Sequence, residues 1–172
     1  MATSLLSIES QKYKETGAYP GLMLLTFDIG RVAGEIDTGY DFVKGDVILH
    51  TYVNVSVAEA TGTTKTVDVG ILSSESGGDA DGFLDGVVTS AIGTVGPSAT
   101  ATDGTNQNYF AAAPKLGALM RVGDLGGDAA GTAAAMIPIP WICDGTAKSL
   151  TYTIGSTATE LEAKGYVIFL RP

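Results

Sequence analysis

The sequence predicts an all-β fold: a jelly-roll-like antiparallel β-sandwich of about eight strands, preceded by an N-terminal arm. Three observations carry this. Apolar residues recur at every second position in several stretches, the period of a strand with one face in a core. No window sustains the 3.6-residue apolar period of a helix over several turns. Gly, Asn, Asp, Ser and Thr separate most of the alternating stretches, as turns require.

The elements follow in chain order. Residues 1–20 carry Lys12, Tyr13, Lys14 and Tyr19 without periodicity, and read as an arm in which those four residues contact a partner. Residues 21–172 form the sandwich domain, opening with a strand at 22–27 built on Leu22-Met23-Leu24-Leu25. Residues 45–57 give the longest alternation, with Val47, Leu49, Val53, Val55 and Val57 on one face and His50, Asn54 and Ser56 on the other. A polar break at 58–65 leads to Thr66-Val67-Asp68-Val69-Gly70-Ile71-Leu72, where Val67, Val69 and Ile71 share a side; these two strands are expected to pair. Ser73 to Asp85 then reads as an acidic, glycine-rich loop.

Further strands are expected at 87–92, 117–122, 137–142, 149–154 and 165–170. Long loops are expected at 93–108 and 125–131, and the best helical candidate, 128–136, is interrupted by Gly131 and closed by Pro138. Pro138-Ile139-Pro140-Trp141-Ile142 reads as an edge strand with Trp141 closing one end of the core. Tyr166-Val167-Ile168-Phe169-Leu170 is an unbroken apolar run, which predicts burial on both faces, either centrally in the sheet or against a neighbouring subunit.

Size and charge bound the function. A chain of 172 residues suits one domain that buries roughly 70% of its unfolded surface. Ten Lys and Arg stand against nineteen Asp and Glu, a net charge of −9, with the bases scattered singly apart from Lys12 and Lys14. No nucleic-acid partner is expected, because binding one needs a clustered basic face. The lone Cys143 excludes an intramolecular disulfide, and with the lone His50 it excludes the usual Cys/His zinc clusters, so it reads as a buried, inert thiol. The start of the chain lacks the basic region of a secretion signal and no apolar run reaches the ~20 residues of a membrane helix, so neither export nor a membrane partner is expected.

The sharpest chemical candidate is a calcium site at Asp79, Asp81 and Asp85, since hard cations take carboxylate oxygens presented by a loop. The EF-hand order fails, with Phe83 and Leu84 standing where an acid and a glycine are needed. The loop therefore reads as a solvated turn, with no cofactor expected and calcium as the lesser alternative. Ser73 or Ser74 with His50 lacks the Gly-x-Ser-x-Gly elbow and a group to orient the imidazole. Residues 123–127 lack the Gly-Lys-Ser/Thr of a phosphate loop, and aromatics that would stack a sugar are few. No enzyme is expected.

Five stretches carry a family resemblance. Asp46-Val47-Ile48-Leu49, the run from Val53 to Gly70 through Glu59-Ala60-Thr61-Gly62-Thr63-Thr64-Lys65, Ser74-Glu75-Ser76-Gly77-Gly78-Asp79-Ala80-Asp81-Gly82-Phe83-Leu84, Gly145-Thr146-Ala147-Lys148-Ser149-Leu150 and Gly165-Tyr166-Val167 resemble structural proteins of tailed-bacteriophage virions. The match is closest to capsid decoration, or cement, proteins, and it spans roughly residues 40–170 on pattern rather than on a catalytic signature. The resemblance implies a β-sandwich or jelly-roll subunit, commonly a homotrimer, made in the host cytoplasm and bound to the major capsid protein on the virion surface. A second class stays open: a receptor- or carbohydrate-binding jelly-roll module of a phage fibre or spike, using loops such as 93–108.

Overall fold

A computed structural model describes residues 13–19, 21–61, 65–95, 117–122 and 137–172. The strands are β1 (Tyr13–Tyr19), β2 (Leu22–Ile29), β3 (Gly34–Phe42), β4 (Val47–Val57), β5 (Thr66–Ile71), β6 (Asp79–Val88), β7 (Gly93–Val95), β8 (Arg121–Val122), β9 (Ile137–Pro138), β10 (Trp141–Ile142), β11 (Lys148–Ile154) and β12 (Glu162–Leu170). One 3-10 turn, Ala118–Met120, precedes β8.

The strands form an antiparallel sandwich. The first sheet runs β1-β2-β12-β4, and the far edge of β4 is shared by β10 at Val47 and Ile48 and by β7 at Val53 to Val55. The second runs β3-β11-β5-β6, and β8 pairs with β9 in a separate ribbon. From β2 onward the chain visits the first, second, first, second, second and first sheets, then returns through β11 in the second and β12 in the first.

Alternation builds the core between them. Leu25, Phe27 and Ile29 point inward from β2, Val167 and Phe169 from β12, Val67, Val69 and Ile71 from β5, and Leu150, Tyr152 and Ile154 from β11. Phe42 sits at the aromatic centre, with ring centroids 5.2 Å from Tyr40, 5.5 Å from Phe169 and 6.1 Å from Phe83, all edge-on. Such pairs add about 0.5–1.5 kcal/mol each beyond the area they bury. Trp141 packs 5.4 Å from Phe83 and closes this end, as its strand position predicts. In the middle of β12, Gly165 lies under the Phe27 ring, which occupies the space a Cβ would take.

The structure corrects several expectations. β4 and β5 do not pair: they lie in opposite sheets, and the chain crosses between them after Val57. Glu59, 3% exposed, fixes the crossing by accepting the N–H groups of Thr61 at 2.8 Å, Thr159 at 2.8 Å, Glu160 at 3.0 Å and Leu161 at 3.2 Å. The Thr61 hydroxyl also donates to it, and this bond, followed by the backbone donors of Glu160, Thr61 and Thr159, holds the carboxyl down to about 2. The expected inward face of β4 is also only half right. Val53 and Val55 are buried, but Leu49 is an extra residue in the pairing with β12, and this bulge turns Ile48 inward and leaves Leu49 38% exposed.

β3 was not expected, and the second half of the acidic loop is strand β6. The strand expected at 87–92 ends at Val88, leaving Ile92 68% exposed. The one at 117–122 is a 3-10 turn followed by two strand residues, and the one at 137–142 is split at Ile139-Pro140, where proline offers no N–H to a ladder. Residues 13–19 of the expected arm form β1, an edge strand paired with β2. The loop expected at 125–131, the helical candidate at 128–136 and most of the loop at 93–108 lie outside the described residues.

The end of β12 is anchored by a buried ion pair. Asp46, fully buried, receives Arg171 in a fork: Nε to Oδ1 at 2.9 Å and Nη2 to Oδ2 at 2.8 Å. Nη2 also donates to the Tyr40 hydroxyl at 2.7 Å, the guanidinium lies over the Phe169 ring, and Val43 N–H caps Asp46 at 2.9 Å.

Candidate interaction surface

Because Val167 and Phe169 face the core, Tyr166, Ile168 and Leu170 face outward from the first sheet. Register lines up their neighbours in rows. Leu170 stands between Leu22 and Val47, with Ile142 beyond Val47; Ile168 stands between Leu24 and His50; Tyr166 stands between Thr26 and Tyr52. With bulged Leu49 they make an apolar and aromatic outer face on which Leu170 and Ile142 are 38% and 56% exposed. A sheet with one wet face ordinarily alternates apolar with polar residues. Toward the Leu170 end this one is apolar on both sides, giving way to Thr26, Asn54 and Ser56 toward the other end, and no other described element packs over its outer face.

The Tyr52 and Tyr166 rings stack on each other, 4.6 Å apart and 5° from parallel, with the His50 ring 5.6 Å from Tyr52. Burial lowers the pKa of His50, so the imidazole is neutral at pH 7, and burial followed by the neighbouring Tyr166 raises that of Tyr52. On β2, β12 and β4 charge appears at one end, where Lys164 pairs with Asp28 at 2.7 Å and Arg31 with Glu162 at 3.8 Å around a shallow depression of about 370 Å³, and on β1 Lys14 is registered beside Thr26. Asp28 raises the pKa of Lys164, so that end carries both signs in balance.

The second sheet differs. Its strands carry Glu35, Asp37, Asp41, Asp68, Asp79, Asp81 and Asp85 against Lys148 alone. Several of these acids serve the backbone. Glu35 accepts Ser73 N–H at 2.7 Å and its hydroxyl at 2.5 Å, and Asp68 accepts Gly86 N–H at 2.6 Å. In the turn before β6, Glu75 accepts Ser149 N–H at 3.1 Å and Lys148 donates to the Ser76 carbonyl.

Of the calcium candidates, Asp79 and Asp81 are brought together. Their carboxyls share a hydrogen bond, which, with burial and the charges of Asp81 and Asp85, raises Asp79 to about 6. The pair thus holds a proton in slightly acidic solution. Calcium takes 6–8 oxygen ligands, and among the described residues no three Asp, Glu, His or Cys side chains are grouped to hold an ion. Ser73 bonds to Glu35 beside the second sheet, whereas His50 lies on the first, so that pairing is not assembled. Of the partner-contact candidates, Tyr13, Lys14 and Tyr19 are on edge strand β1, opposite Phe27, Thr26 and Leu22, and Lys12 lies outside the described residues. Cys143 is 1% exposed, and burial raises its thiol pKa. The outer face of the first sheet was missed as a site; its signal was the run 166–170, read together with the apolar parity of Leu22 and Leu24.

No family model and no curated protein matches the sequence. Among solved structures, the chain is similar to one in the cyanophage Pam1 capsid asymmetric unit at 12% identity and a TM-score of 0.41, over 88% of this chain and 81% of that one. A likeness that distant does not speak to function.

Proposed function

We propose that the chain is a non-enzymatic virion structural protein, a decoration or cement subunit that binds the outer surface of a phage capsid through the major capsid protein and stabilises it. The observation that carries the reading is the outer face of the first sheet: ten apolar or aromatic positions, uncharged in a chain of net charge −9, suited to being covered by protein. The strand orders β2-β12-β4-β7 and β3-β11-β5-β6 support a jelly roll, an architecture found in viral capsid and lectin domains alike. Fold alone does not choose between those uses. The sequence resemblance to tailed-phage virion proteins favours the first. The Tyr52 and Tyr166 rings each turn one face to the other, which does not favour the fibre or spike alternative.

On a capsid, many weak contacts would add through symmetry. The test is to mix the purified chain with heads of the phage that encodes it. Co-sedimentation with the heads, and genome release at a higher temperature than from undecorated heads, is the expected result. Absence of the chain from purified virions would refute the reading.

A further inference from the structure

We infer that Asp144-Gly145 is a site of spontaneous backbone modification, where the aspartate isomerises to isoaspartate in the folded chain while the Asp-Gly steps of β6 are held back. The inference goes beyond the virion role and does not rest on it.

The chemistry needs an Asp-Gly step that can move. The glycine amide nitrogen attacks the side-chain carboxyl carbon of the aspartate; the N–Cγ bond forms, a C–O bond breaks, and the leaving oxygen departs as water with the amide proton. Water then opens the cyclic imide at its main-chain carbonyl, which frees an α-carboxyl and routes the backbone through the side chain. The water lost is regained, so no oxidant and no partner is required. Glycine favours the attack because it has no Cβ to crowd the nitrogen. The attack also turns the Cα–C bond of the aspartate, which a residue held in a ladder cannot do without giving up hydrogen bonds.

The fold separates the Asp-Gly steps. Asp81-Gly82 and Asp85-Gly86 both lie in β6. Asp81 shares a hydrogen bond with Asp79, and Gly82 is buried under the Leu119 side chain. The Gly86 nitrogen donates to Asp68 Oδ1 at 2.6 Å, which turns it away from its own aspartate. Asp144-Gly145 instead lies in the link between β10 and β11, in neither strand. Asp144, Gly145, Thr146 and Ala147 are all exposed, and a Cβ at Gly145 would meet nothing within 4 Å. The Gly145 N–H approaches the Cys143 sulfur, a weak acceptor and so a weak restraint. On either side the chain is anchored: Cys143 N donates to Asp46 O at 2.9 Å, Cys143 O accepts Gly45 N at 2.8 Å, and Lys148 opens β11. The added backbone atom is therefore taken up in the exposed link, and the sandwich keeps its core. Asp103-Gly104 lies outside the described residues.

The test is to age the full chain for weeks in neutral buffer, digest it, and map the peptides by electron-transfer fragmentation, which distinguishes the two isomers residue by residue. Isoaspartate should accumulate at 144 and stay at its starting level at 81 and 85. In concentrated urea all three steps should convert at similar rates, because the fold and not the local sequence protects β6. Gly145→Val, whose side chain has open space but crowds the nitrogen, should abolish most of the conversion at 144 in a chain that still melts cooperatively. No isoaspartate at 144, conversion at 81 or 85 as fast as at 144 in the folded chain, protection of 81 and 85 that persists in urea, or undiminished conversion in folded Gly145→Val would each overturn the inference.

Discussion

Replacing Arg171 by Leu should destabilise the domain far more than a surface substitution does. Leucine keeps apolar cover over the Phe169 and Tyr40 rings but removes two donors to Asp46 and one to Tyr40. Asp46 is fully buried and would retain the Val43 N–H, a single neutral donor for a carboxylate. Removing one partner of a buried ion pair costs about 3–5 kcal/mol. The Arg171 side chain is 33% exposed, so water can enter the vacated space and the loss falls to about 2–4 kcal/mol. For a domain of this size, that lowers the midpoint of thermal unfolding by roughly 5–15 °C. Urea and thermal unfolding of wild type, Arg171→Leu, Asp46→Asn and the double variant measure it. The double variant should recover at least half of the loss, because the stranded charge is gone while an acceptor remains for Val43. A loss under about 1 kcal/mol in Arg171→Leu, or strict additivity in the double variant, would refute the reasoning, since a buried pair must couple.

Three further predictions concern acids and packing. The folded Glu59 carboxyl is held at about 2, below its ordinary 4.5, so its contribution to stability is complete above about 4.5 and is lost as pH falls toward 2; Glu59→Gln should be less stable at pH 7 and should flatten that acid limb in pH-dependent melts. Asp79 has the opposite sign: raised to about 6, it binds its proton more tightly when folded, so stability falls as pH rises from about 3.8 to 6. Asp79→Asn should therefore gain stability over wild type at pH 7 and lose that advantage near pH 4, and equal curves at both pH values would count against the shared proton. Gly165→Ala places a methyl group in the Phe27 ring and should cost about 1–3 kcal/mol, with partial rescue by Phe27→Leu in denaturant unfolding.

What was legible in the sequence followed the period of two. β5 and β11 are legible because they alternate, which places the core residues Val67, Val69 and Ile71 correctly, and β2 and β12 are legible as short apolar runs bounded by turn residues. β3 alternates too, with Thr38, Tyr40 and Phe42 inward, but Asp37, Gly39 and Asp41 between them have the composition of a turn and hid it. β6 was hidden in the same way by Asp79, Asp81 and Gly82. Two features have little local signal: the bulge at Leu49 that switches the facing residues of β4, and the role of Glu59, which has Thr61 as a near donor but takes its other three backbone donors from about a hundred positions away. Nearness in sequence suggested that β4 and β5 pair, whereas long-range hydrogen bonds decide the crossing. The candidate surface was half legible: the run 166–170 implied a second covered face, but the rows that complete it come from strands distant in sequence.

The unequal charge of the two sheets gives the sandwich an electric dipole across its thickness, with the negative end at the β3-β11-β5-β6 layer. Near any anionic body, a second copy included, this dipole exerts a torque that swings the acidic layer away and presents the aromatic face first. Encounters are thereby oriented before contact. Added salt shortens the reach of that torque, so the orientation is strongest at low ionic strength.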